Sequence, residues 1–196
     1  RIQFMILAMV LSGFIVVGQY FINVWAGIDY NNAYYVALLL IIPVTVPLIQ
    51  NLGIEIQRAK NKHKFRSIVY FLIAIGNVLI SIPLVKLYGE IGAALGTAIC
   101  LTIGNIIIMN WYYQVKIKLD MFYFWKQIFK LFPGTILSTV LGIGLSKILI
   151  VNSIIHFLIV GLFYVCVYLV CLFTFGMNAY EKNLIKGPIN KILKRG

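Results

Sequence analysis

Residues 67–113 read SIVYFLIAIGNVLISIPLVKLYGEIGAALGTAICLTIGNIIIMNWYY and contain only two charged side chains, Lys86 and Glu90. On each side of that pair lies an apolar run of about 20 residues, the length that an α-helix needs to cross a hydrocarbon core of roughly 30 Å. Strands of a membrane barrel would instead alternate polar and apolar residues over about ten positions. The stretch therefore predicts two membrane-spanning helices joined by a short connection at 86–90.

The rest of the chain has the same character. Hydrophobic residues make up 62% of the sequence and charged residues 11%, whereas a soluble domain has roughly 45–50% and about 25%. We predict an all-α membrane protein with a transmembrane lobe at 1–176 and a basic cytoplasmic tail at 177–196. The predicted spans are 4–25, 33–54, 67–85, 91–113, 131–151 and 154–176, and a helix lying in the membrane interface is predicted at 121–130. Because the first residue is Arg1, we expect the chain to be a fragment of a longer protein.

Lysine and arginine concentrate in alternate connections between these spans. They fill the loop at 55–66, the stretch at 114–130 and the tail, while the connections at 27–32, 86–90 and 152–153 carry almost none. The positive-inside rule then predicts that both chain ends and both basic connections are cytoplasmic. The net charge of +12 is therefore attributed to a membrane boundary, and no nucleic-acid partner is predicted.

The acidic residues and histidines form no catalytic or metal-binding pattern in the sequence, so we predict no enzyme activity, no metal and no cofactor. The five acids all lie in or beside predicted connections: Asp29, Glu55, Glu90, Asp120 and Glu181. Cation-coupled transporters usually carry a carboxylate within the membrane. This part of the chain therefore disfavours a drug or cation antiporter.

Amide side chains inside the predicted spans are the candidate substrate-cavity residues. An amide facing lipid would leave its polar atoms unpaired, so each should face another helix or a wet cavity. The candidates are Gln19, Asn23, Gln50, Asn51 and Asn77. Gln19 and Asn23 are preferred because residues four apart share one helix face. The alternative for every one of them is ordinary hydrogen bonding between helices.

Two further patterns concern helix shape and packing. Pro43 and Pro47 predict a bend in the second span, which is either a hinge or a fixed kink. Gly92, Gly96 and Gly104 place small residues on one face of the fourth span and predict close helix packing.

Four stretches in this order resemble the polysaccharide or O-antigen repeat-unit flippases of the multidrug/oligosaccharidyl-lipid/polysaccharide exporter superfamily. They are RIQFMILAMVLSGFIVVGQYFINVWAG at 1–27, IQRAKNKHKFRS at 56–67, LYGEIGAALGTAI at 87–99 and FGMNAYEK at 175–182. The resemblance runs along almost the whole chain but only to the C-terminal half of such proteins.

The resemblance implies the C-terminal lobe of a two-lobed exporter in the bacterial plasma membrane. It implies alternating-access transport of undecaprenyl-diphosphate-linked oligosaccharide for capsule, O-antigen or exopolysaccharide synthesis. Membrane lipids and other polysaccharide assembly proteins are the further partners it implies. The sequence offers no mid-span Arg or Lys that would match a diphosphate site. A drug or cation antiporter of the same superfamily and a membrane-embedded polysaccharide polymerase remain the alternatives.

Overall fold

The computed structural model describes residues 1–148 and 154–184. Helix accounts for 92% of the structure, and the described residues contain no strand, which confirms the all-α prediction. The helices are α1 (Ile2–Trp25), α2 (Asn31–Ile49), α3 (Asn51–Ala59), α4 (Lys64–Leu101), α5 (Met109–Tyr112), α6 (Met121–Phe129), α7 (Phe132–Ile148) and α8 (Ile154–Cys171). A 3₁₀ turn at Ile28–Tyr30 precedes α2, and wider π-helical turns occupy Thr102–Ile108, Tyr113–Ile117 and Leu172–Gly176.

Five ranges among the described residues are helical, long enough and apolar enough to cross a membrane. They are Ile2–Trp25, Ile28–Ile49, Lys64–Ile117, Met121–Ile148 and Ile154–Gly176. At most 28% of the residues in the most apolar window of each range are buried. Most of this apolar surface is therefore uncovered by the chain itself, as expected for helices that face lipid or another protein surface.

The long range Lys64–Ile117 is a helical hairpin. A straight helix of its 54 residues would be about 80 Å long at 1.5 Å per residue, far more than the roughly 30 Å of a hydrocarbon core. The chain instead reverses at Gly89, whose φ of 59° and ψ of −137° suit a residue without a Cβ atom. We name residues 64–88 the outgoing arm and residues 90–117 the return arm.

The two arms contact each other along their length, and three glycines of the return arm lie in the contact. Gly92, Gly96 and Gly104 are all buried. An added Cβ atom would overlap the backbone of Leu84 at Gly92, Ser81 at Gly96 and the side chain of Ile73 at Gly104. The absence of side chains at these positions is thus what lets the arms approach so closely.

The second predicted span, 33–54, differs from the observed helix. Helix α2 contains Pro43 and Pro47 and ends at Ile49. Gln50 then leaves helical geometry with φ −95° and ψ 15°, and the shorter α3 begins at Asn51. Proline at 47 lacks the backbone N–H that would bond to the Pro43 carbonyl, but the ladder resumes beyond it, since the Gln50 N–H donates to the Val46 carbonyl at 3.2 Å.

The chain divides into two compact units, which are described separately. The central unit is Gly18–Trp125, and the terminal unit is Arg1–Val17 with the described part of Lys126–Gly196. In the terminal unit α7 packs against α8, and Gly142 lies against Tyr164 and Val16. The Tyr168 hydroxyl donates to the Met5 carbonyl at 2.8 Å. The predicted span 131–151 and the predicted tail both extend into residues outside the described ranges.

Candidate functional site

The preferred pair, Gln19 and Asn23, lies near the end of α1 in the central unit. The Gln19 amide donates to Asn31 Oδ1 at 2.9 Å, so it fastens α1 to the first residue of α2. The Asn23 Oδ1 atom is buried and has no hydrogen-bond partner among the described residues. One member of the pair therefore has a structural bond, while the other leaves an acceptor open.

The Gln50 side chain forms a hydrogen bond at the opposite end of α2. Its amide donates to Asn110 Oδ1 at 2.8 Å, and the Trp125 indole donates to the same oxygen at 3.1 Å. Gln50 is only 5% exposed, whereas its neighbour Asn51 is exposed at the start of α3. Gln50 thus joins helices, and the two adjacent candidates do not share an environment.

Asn77 lies between the two arms of the hairpin. Its Oδ1 atom accepts hydrogen bonds from the Ser81 hydroxyl at 2.6 Å and from the Thr97 hydroxyl at 3.1 Å. Asn105 plays a comparable part farther along, because it accepts from the Tyr70 hydroxyl at 3.0 Å. Both side chains are explained by hydrogen bonding between helices.

The amide candidates therefore do not converge on one cavity. The partner of Gln19 starts α2 and Gln50 follows its end, so the 19 residues of that helix separate them by about 28 Å along its axis. Asn77 belongs to the hairpin interface. Of the proposed cavity residues, Asn23 alone keeps a buried polar atom without a partner among the described residues.

A polar cavity of the central unit was not predicted from the sequence. It has a volume of about 530 Å³ and is lined by Ile54, Gln57, Arg58, His63, Arg66, Ser67 and Tyr70. Helix α3 contributes the first three residues, and the first turns of α4 contribute the last three. We name it the basic cavity, since three of its seven lining side chains are Arg or His.

Arg66 has neutral hydrogen-bond partners in this cavity. Its guanidinium donates to the Tyr70 hydroxyl at 3.0 Å and to the Tyr113 hydroxyl at 3.4 Å, and it lies 5.0 Å from the centre of the Tyr70 ring. The ion pairs among the described residues are Arg1–Glu181 and Arg58–Glu55, and neither includes Arg66. The positive charge of Arg66 is therefore not neutralised by a carboxylate within this part of the chain.

Gln57 adds an acceptor to the same cavity. The side chain is fully buried, and its Nε2 donates to the Lys62 carbonyl at 2.9 Å. Its Oε1 atom has no partner among the described residues. A buried acceptor without a donor costs about 1–3 kcal/mol, so a ligand hydroxyl or a water molecule would be stabilising there.

Two lysines bring both basic connections of the central unit together. Lys60 Nζ donates to the Ile117 carbonyl at 2.8 Å, and Lys62 Nζ donates to the Lys116 carbonyl at 3.2 Å. These carbonyls lie at the end of the return arm, where cations suit the negative end of a helix dipole. The basic cavity thus lies at the cation-rich end of the hairpin.

A second polar cluster surrounds Arg1 in the terminal unit. The Arg1 guanidinium pairs with Glu181 at 2.6 Å and also donates to Gln127 and to the Gly176 carbonyl. Burial opposes ionisation of Glu181, but hydrogen bonds from Arg1 and from the Asn178 N–H outweigh it and hold the pKa of this carboxyl below its ordinary value. One side chain therefore joins the start of α1, the end of α6 and the segment after α8.

Only part of each cluster has a recognisable pattern in the sequence. Arg66 stands four residues before Tyr70, a spacing that permits contact on one helix face, but its contact with Tyr113 depends on the hairpin. Within the described ranges, no three His, Cys, Asp or Glu side chains group closely enough to hold a metal ion. Comparison with protein-family models, curated proteins and solved structures finds no match to this chain.

Proposed function

We propose that this chain is the C-terminal lobe of a transporter that moves lipid-linked oligosaccharide repeat units across the bacterial plasma membrane. The observation that most supports this is the role of LYGEIGAALGTAI, the most specific stretch of the family resemblance. Gly89 of that stretch makes the hairpin turn, and Gly92 and Gly96 make the close contact between the arms. The residues that carry the family resemblance therefore form the turn and the helix contact of the hairpin.

We further propose six membrane crossings with both chain ends in the cytoplasm. The hairpin reversal at Gly89 supports two crossings for Lys64–Ile117 in place of one. In the central unit, the contacts of Lys60 and Lys62 hold both basic connections at one end of the hairpin. Such clustering of cations at one end of the helices fits the positive-inside rule.

The proposed mechanism is alternating access. A polar cavity would shield the sugar headgroup while the lipid tail stays in the bilayer, and rocking of two lobes would move the opening from one membrane face to the other. Asn23 supports this assignment best, since its buried Oδ1 has no partner among the described residues and suits a sugar hydroxyl donor.

The distribution of acids does not favour a cation-coupled antiporter. Asp29 lies in the turn before α2, Glu90 beside the hairpin turn and Asp120 just before α6. Glu55 lies in α3 and Glu181 after α8. A carboxylate within a membrane-spanning helix is the usual device for binding a coupling cation, and these five positions do not offer one.

The decisive experiment is a translocation assay on the intact protein reconstituted with an undecaprenyl-diphosphate-linked oligosaccharide. Asn23→Leu, which removes the open acceptor, should slow translocation, while the exposed Asn32 changed to leucine should not. Unchanged turnover in Asn23→Leu removes that residue from the site. If the wild type moves no lipid-linked sugar but exports drugs along an ion gradient, the antiporter is the correct function.

A further inference from the structure

The basic cavity combines three features that together define a ligand. Its volume of about 530 Å³ lies in the range of small-molecule sites. It contains the Arg66 guanidinium, whose described hydrogen-bond partners are the neutral hydroxyls of Tyr70 and Tyr113. Gln57, another lining residue, has a buried acceptor without a partner among the described residues.

These groups select a phosphate ester with a hydroxyl beside it. Arginine presents a planar fork of donors that matches phosphate oxygens, and Arg58, which is paired with Glu55, lines the same space. A phosphodiester would satisfy the cations but has no hydroxyl of its own to donate to an acceptor such as Gln57 Oε1. A hydroxyl on the group attached to the phosphate supplies that donor.

The surroundings of the cavity indicate where this ester comes from. Directly after Ser67, the outgoing arm exposes Ile68, Phe71 and Leu72, each with more than half of its surface uncovered. A ligand whose phosphate sits at Arg66 can therefore lay an apolar tail along the same helix. Basic clusters at the cytoplasmic boundary attract anionic lipid headgroups.

We propose that the basic cavity binds the headgroup of an anionic phospholipid that carries a hydroxyl, of the phosphatidylglycerol type. The phosphate contacts Arg66, and the headgroup hydroxyl donates to Gln57 Oε1. This inference rests on the proposed membrane placement but not on the proposed cargo, so binding and translocation can succeed or fail separately.

The test is native mass spectrometry of the intact protein in neutral detergent, titrated with short-chain phosphatidylglycerol. Phosphatidylglycerol should bind about tenfold more tightly than phosphatidylcholine, and Arg66→Gln should remove about that factor. Lys64→Gln is the matched control, because it removes the same charge from an exposed residue that does not line the cavity. Equal losses in the two variants would mean diffuse surface charge and would overturn the proposal.

Three further measurements make the test specific. Because Arg66→Gln also removes two bonds to tyrosines, Ser67→Asp provides an independent variant that should weaken binding by placing a negative charge at the cavity. Phosphatidylethanol has the same charge but no headgroup hydroxyl, and equal binding of it would refute the role of Gln57. Displacement of the lipid by free glycerol 3-phosphate at a comparable concentration would refute the lipid source.

Discussion

Replacing Gly92 by alanine should open the helical hairpin. The new Cβ atom would overlap the Leu84 carbonyl and lie 3.0 Å from the Val85 nitrogen. Both neighbours are backbone atoms, so they cannot turn aside as a side-chain end would. Overpacking costs about 1–3 kcal/mol, and an overlap with backbone atoms belongs to the upper part of that range, about 2–3 kcal/mol, while the better helix propensity of alanine returns about 1 kcal/mol. We expect a net loss of about 1–2 kcal/mol, which raises the opened population by about 5- to 30-fold.

The buried Cys100 thiol provides the assay. It lies in the return arm, 3.6 Å from the position that a Cβ on Gly76 of the outgoing arm would take. With Cys166 and Cys171 changed to alanine, the rate of maleimide labelling at Cys100 in detergent reports opening of the arms. The rate should rise in Gly92→Ala by the same factor as the opened population.

Gly76→Ala is the matched control in the same hairpin. Its added Cβ atom would make only an ordinary van der Waals contact with the Cys100 sulfur, so labelling should stay the same or slow down. If Gly92→Ala also left the rate unchanged, the arms would not be packed as described, and the account of the hairpin would be wrong.

Three other predictions concern the turn, the ion pair and the topology. Gly89→Ala should destabilise the hairpin by about 1–3 kcal/mol, because its backbone conformation is strained for any residue with a Cβ atom; the same labelling assay measures this. The Arg1–Glu181 pair should stabilise the terminal unit fully at a pH above the ordinary carboxyl pKa of about 4.3. This stabilisation should be lost as the pH falls through the lower pKa of Glu181 in the folded protein. Glu181→Gln should flatten that part of a profile of melting temperature against pH. Cysteines placed at Lys60 and at Tyr88 should react with an impermeant maleimide from opposite sides of the membrane, and labelling of both from one side would contradict the proposed crossings.

The sequence pattern predicts the local features of the fold well. The apolar runs and the charged pair at 86–90 predict two helices with a reversal between them, and the structure has that reversal at Gly89. The start of α7 at Phe132 also agrees with the predicted boundary near 130. These features depend on residues close together in the chain, so composition and spacing reveal them.

The features that the sequence did not reveal depend on distant residues. Helix α2 ends at Ile49, next to Gln50, whose side chain donates a hydrogen bond to Asn110, 60 residues farther along the chain. Arg66 looks like one more cation of a basic loop until the hairpin brings Tyr113 beside it. Gln57 belongs to a polar connection in the sequence, yet it is fully buried. A hydropathy pattern cannot predict such pairs, since both partners look unremarkable locally.

The π-helical turn at Thr102–Ile108 has a consequence for how the return arm tolerates insertions and deletions. A π turn contains one residue more than an α turn, and the Asn110 amide reaches back to the Ile106 carbonyl in this wider segment. Deleting one residue there would convert the wide turn into an ordinary α turn and leave the residues beyond it on nearly the same helix face, whereas a deletion in a regular α-helical part of the arm would rotate everything after it by about 100°. Asn110 and Tyr113 would keep facing Gln50 and Arg66 in the first case and turn away from both in the second, so this segment is where the return arm can lose a residue without losing these two polar contacts.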